Sequence, residues 1–346
     1  MSDTRSPRLL ICRLSHIGDC IHTFPVANAL RDHYPNSVIG WVVESPSAPL
    51  LAGHESVDEL IVVPRRWLKS PAAVWRLRRQ LRQLKFDIAI DPQSLTKSSF
   101  AAWLSGSKVR IGYGGKDGLE LSKCLNNQLV TRKAPHVVDR YLELLRPLGI
   151  AAPQIQFRVP INEEADATIS YFLKQQGLLD GFAVINPGAG WDSKLWPIDR
   201  YAAVAAYLGR RWQLPTVVVW AGDRERQWAE QIVAGSGNQA VMAPPTSLPE
   251  LASLLRGARL FVGSDTGPMH LAVAVGTRCV AMFGPTPISQ CGPYGEGHIA
   301  LQEVYKKQSR RERRKAGNEA MRAIQTDSVC RACDAILSDR LSEKAA

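Results

Sequence analysis

At 346 residues, with 45% apolar and 22% charged side chains, the chain has ordinary globular composition and the length for two domains with separate cores. No apolar run approaches the roughly 18 residues a membrane span needs, and the stretch Met1 to Arg8 carries no apolar leader. Seven mostly scattered cysteines, an odd number, then read as reduced thiols of a cytoplasmic protein.

In chain order, Leu9 to Cys12 reads as a strand, followed by a glycine turn and a helix from about Asp19 to Tyr34. Ser37 to Val43, Glu59 to Val63 and Phe86 to Asp91 are further strands. Between the last two lies a basic segment with apolar residues at helical spacing. A helix at Phe100 to Leu104, a strand at Val109 to Gly112 and a helix from Val137 to Leu148 follow. Pro147, Gly149, Pro153 and Pro160 then interrupt the pattern, and residues 147–160 are read as a linker. The second half repeats the alternation. Strands are expected at Phe182 to Asn186, Thr216 to Trp220, up to Val241, Leu260 to Gly263 and Cys279 to Phe283. Between them fall helices Ile198 to Arg211, Arg224 to Ala234, Ser247 to Arg256 (opened by a capping box) and His270 to Val275. Repeated strand–helix units predict an α/β protein of two Rossmann-like parallel-sheet domains facing a central cleft. The division is set at residues 1–155, residues 156–302 and a basic tail, residues 303–346, without an assigned role.

The net charge of +11 is concentrated in two places. Residues 65–85 hold Arg65, Arg66, Lys69, Arg76, Arg78, Arg79, Arg82 and Lys85, interleaved with Trp67, Leu68, Trp75, Leu77, Leu81 and Leu84 and with no acid. The second concentration runs from Lys306 to Lys315. Each is either a solvated face or a surface for an anionic partner. Cys330 and Cys333 are the only close cysteine pair. They lack a second pair at ligand spacing, so no zinc site is assigned.

Four loops after expected strands hold the unusual polar residues, which is where open parallel sheets bind ligands. The first, Arg13 to Asp19, places Asp19 either as a helix cap or as a proton-accepting carboxylate. The second, Asn186 to Pro197, combines glycines with Lys194, a mobile charge for phosphate or simply a surface lysine. The third, Ala221 to Glu225, offers a carboxylate to a pair of ribose hydroxyls. The fourth is Ser264 to His270 (Ser-Asp-Thr-Gly-Pro-Met-His), read as strand, tight turn and helix. There the amides of Thr266 and Gly267 form an anion site beside Asp265, a pairing suited to a nucleotide sugar. The bland reading of Asp265 is again a helix cap.

Gly18-Asp19 with His22 to Pro25, Lys194 to Pro197, Asp265 to His270 and Phe283 to Thr286 occur in this order at strand ends. Together they resemble the inverting glycosyltransferase family 9, the lipopolysaccharide heptosyltransferases, over most of residues 8–290. The resemblance implies the two-domain GT-B fold, with acceptor bound by the first domain and nucleotide sugar by the second. It implies that Asp19 is the catalytic base, Lys194 the phosphate-binding lysine and Glu225 the ribose-binding acid. Asp265 would hold the donor sugar, with Thr266 and Gly267 donating amides to the diphosphate and His270 completing that motif. Thr246 falls where the family lines its adenine pocket. Pro287, immediately after Gly-Pro-Thr, departs from the family pattern, and nothing after about Glu303 matches a family motif.

The reaction implied is inverting transfer of heptose from ADP-heptose to the inner core, on Kdo (3-deoxy-manno-octulosonate) or heptose, of an anionic lipid A–Kdo acceptor. A family 9 transferase using a different nucleotide sugar or acceptor is the nearest alternative. No Asp-x-Asp follows a strand, so no metal or other cofactor is expected. The basic segments then suit the inner face of the cytoplasmic membrane, with Trp67 and Trp75 as interfacial anchors. A Rossmann oxidoreductase is a remoter alternative, since no strand precedes G-x-G-x-x-G. A nucleic-acid partner is not expected without a binding module.

Overall fold

The computed structural model describes residues 6–345, and the side chains of Arg310 and of residues 340–345 are not described. Most of the opening stretch in which no leader was seen, residues 1–5, therefore lies outside the described residues. The chain divides into two units at Pro160 and Ile161, five residues beyond the boundary expected from the proline pattern.

The first unit holds six parallel strands: β1 (Arg8–Cys12), β2 (Val38–Glu44), β3 (Glu59–Val63), β4 (Ile88–Ile90), β5 (Val109–Tyr113) and β6 (Gln128–Val130). Their order is β3-β2-β1-β4-β5-β6. β1 is central, pairing Leu9 with both Ile39 and Ile88. It is buried on both faces, so it reads as a continuous apolar run. The expected helix from Asp19 to Tyr34 is two helices, Ile17–Ile21 and Phe24–His33. Pro25 accounts for the break: it lacks an amide and suits the first turn of a new helix.

The basic segment forms the helix Pro71–Leu84. Ser70 caps it by accepting from the Ala73 amide, and Lys85 ends it in the left-handed region at φ 51°. Ala73, Leu77 and Leu81 recur on one face and enter the core. Trp67 joins them, only 1% exposed and stacked on Phe100, whereas Trp75 is 60% exposed. Trp67 is therefore no interfacial anchor.

The second unit holds β7 (Ala183–Asn186), β8 (Thr216–Val218), β9 (Ala240–Met242), β10 (Leu260–Ser264), β11 (Cys279–Met282) and β12 (Ile299–Leu301). Their order is β12-β11-β10-β7-β8-β9, again all parallel. Counted from its own first strand, this sheet repeats the order of the first, the Rossmann arrangement.

The residues expected as a tail carry the helices Arg310–Lys315, Glu319–Ala323 and Thr326–Ala345. Met321, Ile324, Val329, Cys330, Ala332, Cys333, Ile336 and Leu337 are buried in the second unit's core. Trp196 donates to the Ile324 carbonyl at 3.0 Å, while Tyr207 and Trp212 hold Asp334 at 2.6 and 2.7 Å. Cys330 and Cys333 face this core as free thiols. Among the described residues no group of three or more His, Cys, Asp or Glu converges as a metal ligand set. No helix among them is long and apolar enough to cross a membrane.

Candidate functional site

In each sheet the chain reverses direction of progression beside its first strand: between β1 and β4, and between β7 and β10. Loops leaving a parallel sheet at such a switch point diverge and leave room for a ligand. Asp19 stands at the first of these points, and Lys194 and Asp265 at the second.

In the first unit, Asp19 lies in the third position of the helix Ile17–Ile21, and His16 is the capping position. The carboxylate does not cap the helix. One oxygen meets the Arg13 guanidinium at 2.6 Å, and the other accepts from the Tyr141 hydroxyl at 3.3 Å. Arg13 is buried and also lies 5.0 Å from the Tyr141 ring centroid. It is anchored across the switch point by donating to the Pro92 carbonyl at 3.3 Å, after β4. Asp19 remains 36% exposed, so the trio presents an oriented carboxylate to solvent. Burial raises the Tyr141 hydroxyl pKa, with Arg13 opposing, and keeps that group a neutral donor.

In the second unit, Lys194 ends the turn Asp192–Lys194 after β7, and Asp265 follows β10, the neighbouring strand. The ammonium meets Asp265 Oδ2 at 2.5 Å and the Asp265 carbonyl at 3.1 Å. His270 Nε2 lies 3.3 Å from the other carboxylate oxygen. Asp265 is 6% exposed. Burial alone would raise its pKa, but Lys194 and then His270 outweigh it and hold the carboxyl well below the usual range. The cap of the following helix, Gly267–Ala274, is Thr266 and not Asp265. Pro268 stands in its first turn, and the amides of Thr266 and Gly267 make no hydrogen bond among the described residues. Asn186 Nδ2 reaches Thr266 Oγ1 at 3.3 Å and fixes the turn against β7. A cation and outward amides beside a buried carboxylate suit an anion linked to a polyol.

Glu225 and Thr246 lie farther along the same edge. Glu225 sits in the first turn of the helix Gly222–Gly235 and accepts from the Ala221 amide at 2.9 Å. Its carboxyl packs so close to Gly188 that any side chain there would collide with it. Burial raises the Glu225 pKa, partly offset by that amide and Arg224. Thr246 is half-buried in the loop after β9, before the Ser247–Glu250 capping box. Lys194, Asp265, Thr266, Gly267 and His270 thus form one cluster, with Glu225 and Thr246 after the next two strands. Asp19 belongs to the first unit. Arg13 shares a loop with Asp19 but carries no sequence signal of its role, and Tyr141, 122 residues from Asp19, carries no local signal at all.

Two Rossmann-ordered parallel sheets, with an anion-compatible turn at the switch point of the second, are the arrangement of the GT-B fold class. The sequence model of glycosyltransferase family 9 (heptosyltransferase) matches residues 74–320, and the chain belongs to that family. It is 30% identical over 315 residues to lipopolysaccharide heptosyltransferase 1 of Pseudomonas aeruginosa, covering 85% of this chain and 83% of that one. The crystal structure of the family 9 glycosyl transferase from Veillonella parvula superposes with a TM-score of 0.87 at 25% identity, covering 97% and 99% of the two chains. Escherichia coli heptosyltransferase WaaC with ADP shares the fold at a TM-score of 0.71 and 24% identity, over 93% and 95%.

Proposed function

We propose that the protein transfers heptose from ADP-heptose to the Kdo or heptose of a lipopolysaccharide inner core, with inversion at the anomeric carbon. The observation that carries this reading is the Lys194–Asp265–His270 cluster against the open amides of Thr266 and Gly267. The sugar and acceptor classes follow the name of the Pseudomonas aeruginosa relative, and ADP is the nucleotide with which the WaaC neighbour was solved. The second unit takes the donor. Glu225 accepts the ribose hydroxyls, Thr246 lines the adenine pocket, and Asp265 uses its remaining lone pairs for sugar hydroxyls. The first unit takes the acceptor. Asp19 removes the hydroxyl proton as that oxygen bonds to the anomeric carbon and the bond from this carbon to the diphosphate oxygen breaks. Lys194 and the two amides meet the charge growing on departing ADP. Protein groups take this role, so activity should survive EDTA.

The decisive variant is Asp19→Asn, assayed by single-turnover transfer and by ADP calorimetry. Transfer should fall about 10²–10⁴-fold, the usual share of a positioned base, with ADP affinity unchanged. Near-wild-type transfer would remove Asp19 from the mechanism. A screen of other sugar nucleotides against ADP-heptose tests the donor.

The finer placement, at the inner face of the cytoplasmic membrane, is supported by the exposed Trp75, with Arg79 over its ring, and by the exposed Arg76 and Arg78 on the same helix. Each basic side chain near an anionic surface contributes about 1 kcal/mol. Arg76, Arg78 and Arg79 replaced together by Gln should abolish sedimentation with anionic vesicles and spare transfer to a delipidated acceptor. Unchanged sedimentation would reject this surface.

A further inference from the structure

The second basic concentration, Lys306 to Lys315, has no part in the account above. Its helix, Arg310–Lys315, is opened by a capping box in which Ser309 and Glu312 satisfy each other's amides. The helix is docked on the turn that carries Lys194. Ser193 Oγ donates to the Arg313 carbonyl at 2.7 Å, and Asn318 Nδ2 donates to the Leu195 carbonyl at 3.0 Å. One indole, that of Trp191, serves two cations: Lys194 Nζ lies 4.7 Å from its centroid and the Arg314 guanidinium carbon 5.7 Å.

The local charges leave Arg314 available. Asp192 is engaged by Arg224 at 3.0 Å, Glu312 by its own helix start, and Asp265 by Lys194 and His270. Among the described residues no carboxylate pairs with Arg314, which is exposed. The Lys194–Asp265 pair, by contrast, carries no net charge. A diphosphate brings at least two negative charges, so the lysine pair and the amides leave it short of positive charge. A guanidinium lying on an indole is oriented by the ring and keeps its edge N–H groups for oxygen acceptors.

We propose that Arg314 is a second cationic contact for the diphosphate of the nucleotide sugar, presented on the indole of Trp191, which also holds Lys194. The inference rests on the donor-site reading given above. It also gives the helix Arg310–Lys315 a function: it carries a phosphate ligand to the loop after β7.

The test is calorimetry of the full chain with ADP and with adenosine, which lacks phosphate. Arg314→Gln should weaken ADP about tenfold, the size of one charge-assisted hydrogen bond, and leave adenosine unchanged. Arg314→Lys should recover part of the loss, and Arg311→Gln, on the same helix, should leave both ligands unchanged. Equal weakening of ADP and adenosine by Arg314→Gln would overturn the proposal, as a structural fault. So would unchanged ADP binding by Arg314→Gln where Lys194→Ala loses it, which leaves the donor-site reading standing. If Lys194→Ala also binds ADP normally, that reading falls and the inference with it. Should Arg314→Gln fail to fold, Arg314→Lys decides: reduced ADP binding with normal adenosine binding supports the contact, and unchanged ADP binding rejects it.

Discussion

The two sheets share one strand order, yet the carboxylates at their switch points stand in different surroundings. Asp19 is gripped by a buried arginine and a neutral tyrosine and still meets solvent. Asp265 is buried with a lysine and a histidine and is held ionised far below the usual range. The scaffold therefore does not set the chemistry; burial and partners do. A carboxylate open to solvent and oriented by two donors can take a proton from an incoming hydroxyl. One locked into an ion pair serves as a fixed acceptor and as the anchor of the lysine that meets phosphate.

The strongest test of the contrast removes the support of one unit alone. Deleting residues 326–346 strips Val329, Ile336 and Leu337 from the second core. At about 1.5–3 kcal/mol for each such side chain, the second unit should lose cooperative unfolding. Hydrogen exchange should show protection collapsing around β7 to β12 and persisting around β1 to β6. Equal loss in both would mean that they do not fold independently.

Asp265→Ala leaves the Lys194 ammonium, 14% exposed, without its partner, a change that costs up to roughly 3–5 kcal/mol. Asp19→Ala strands the Arg13 guanidinium, which is only 5% exposed and keeps just the Pro92 carbonyl and the Tyr141 ring, so it should cost a similar amount. Urea denaturation of the two variants should therefore give comparable losses. A much smaller loss for Asp19→Ala would show that the exposure of the carboxylate, and not the burial of its partner, sets the cost. On the ligand side, Asp265→Ala should weaken ADP-heptose more than free ADP, and equal weakening would reject its role at the sugar.

Acid should separate the units as well. Burial pushes the His54 pKa in the first unit from 6.5 to about 4. The unfolded chain then binds a proton that the folded chain refuses, so stability is lost as pH falls from about 6.5 to about 4. The full effect is about 3 kcal/mol. The Asp265 pKa is depressed, so its contribution is present above the unfolded value of about 3.9 and is lost only below it. His54→Asn should flatten the first unit's acid loss, measured by hydrogen exchange at pH 6.5 and 4.5. An unchanged slope would remove His54 as its source.

Much of this was legible in the chain. Apolar alternation marked ten of the twelve strands, and the loops after them announced Asp19, Lys194, Glu225 and Asp265, because glycine, proline and capping residues act on their immediate neighbours. The short strands Gln128–Val130 and Ile299–Leu301 went unseen. Neither is fully buried, and so neither shows the continuous apolar run of the central strands. The C-terminal helix went unseen because half of its buried face is cysteine and alanine (Cys330, Ala332 and Cys333), which mark an apolar period only weakly.

Local sequence thus fixed the kind of element and the residue types at each loop, since dihedral preference and hydrophobic period are short-range properties. Tertiary structure decided which partners those residues have. Trp67 and Trp75 share one basic segment, yet one is buried against Phe100 and the other stands in solvent. Lys194 meets Asp265 across 71 residues, and Asp19 meets Tyr141 across 122. The first meeting depends on the strand order, with β10 beside β7, and the second on the helix Val137–Glu143, which carries Tyr141 and packs back on the helix Phe24–His33. Neighbours in a parallel sheet are set by how crossovers pack around a shared core, which no short window of sequence contains.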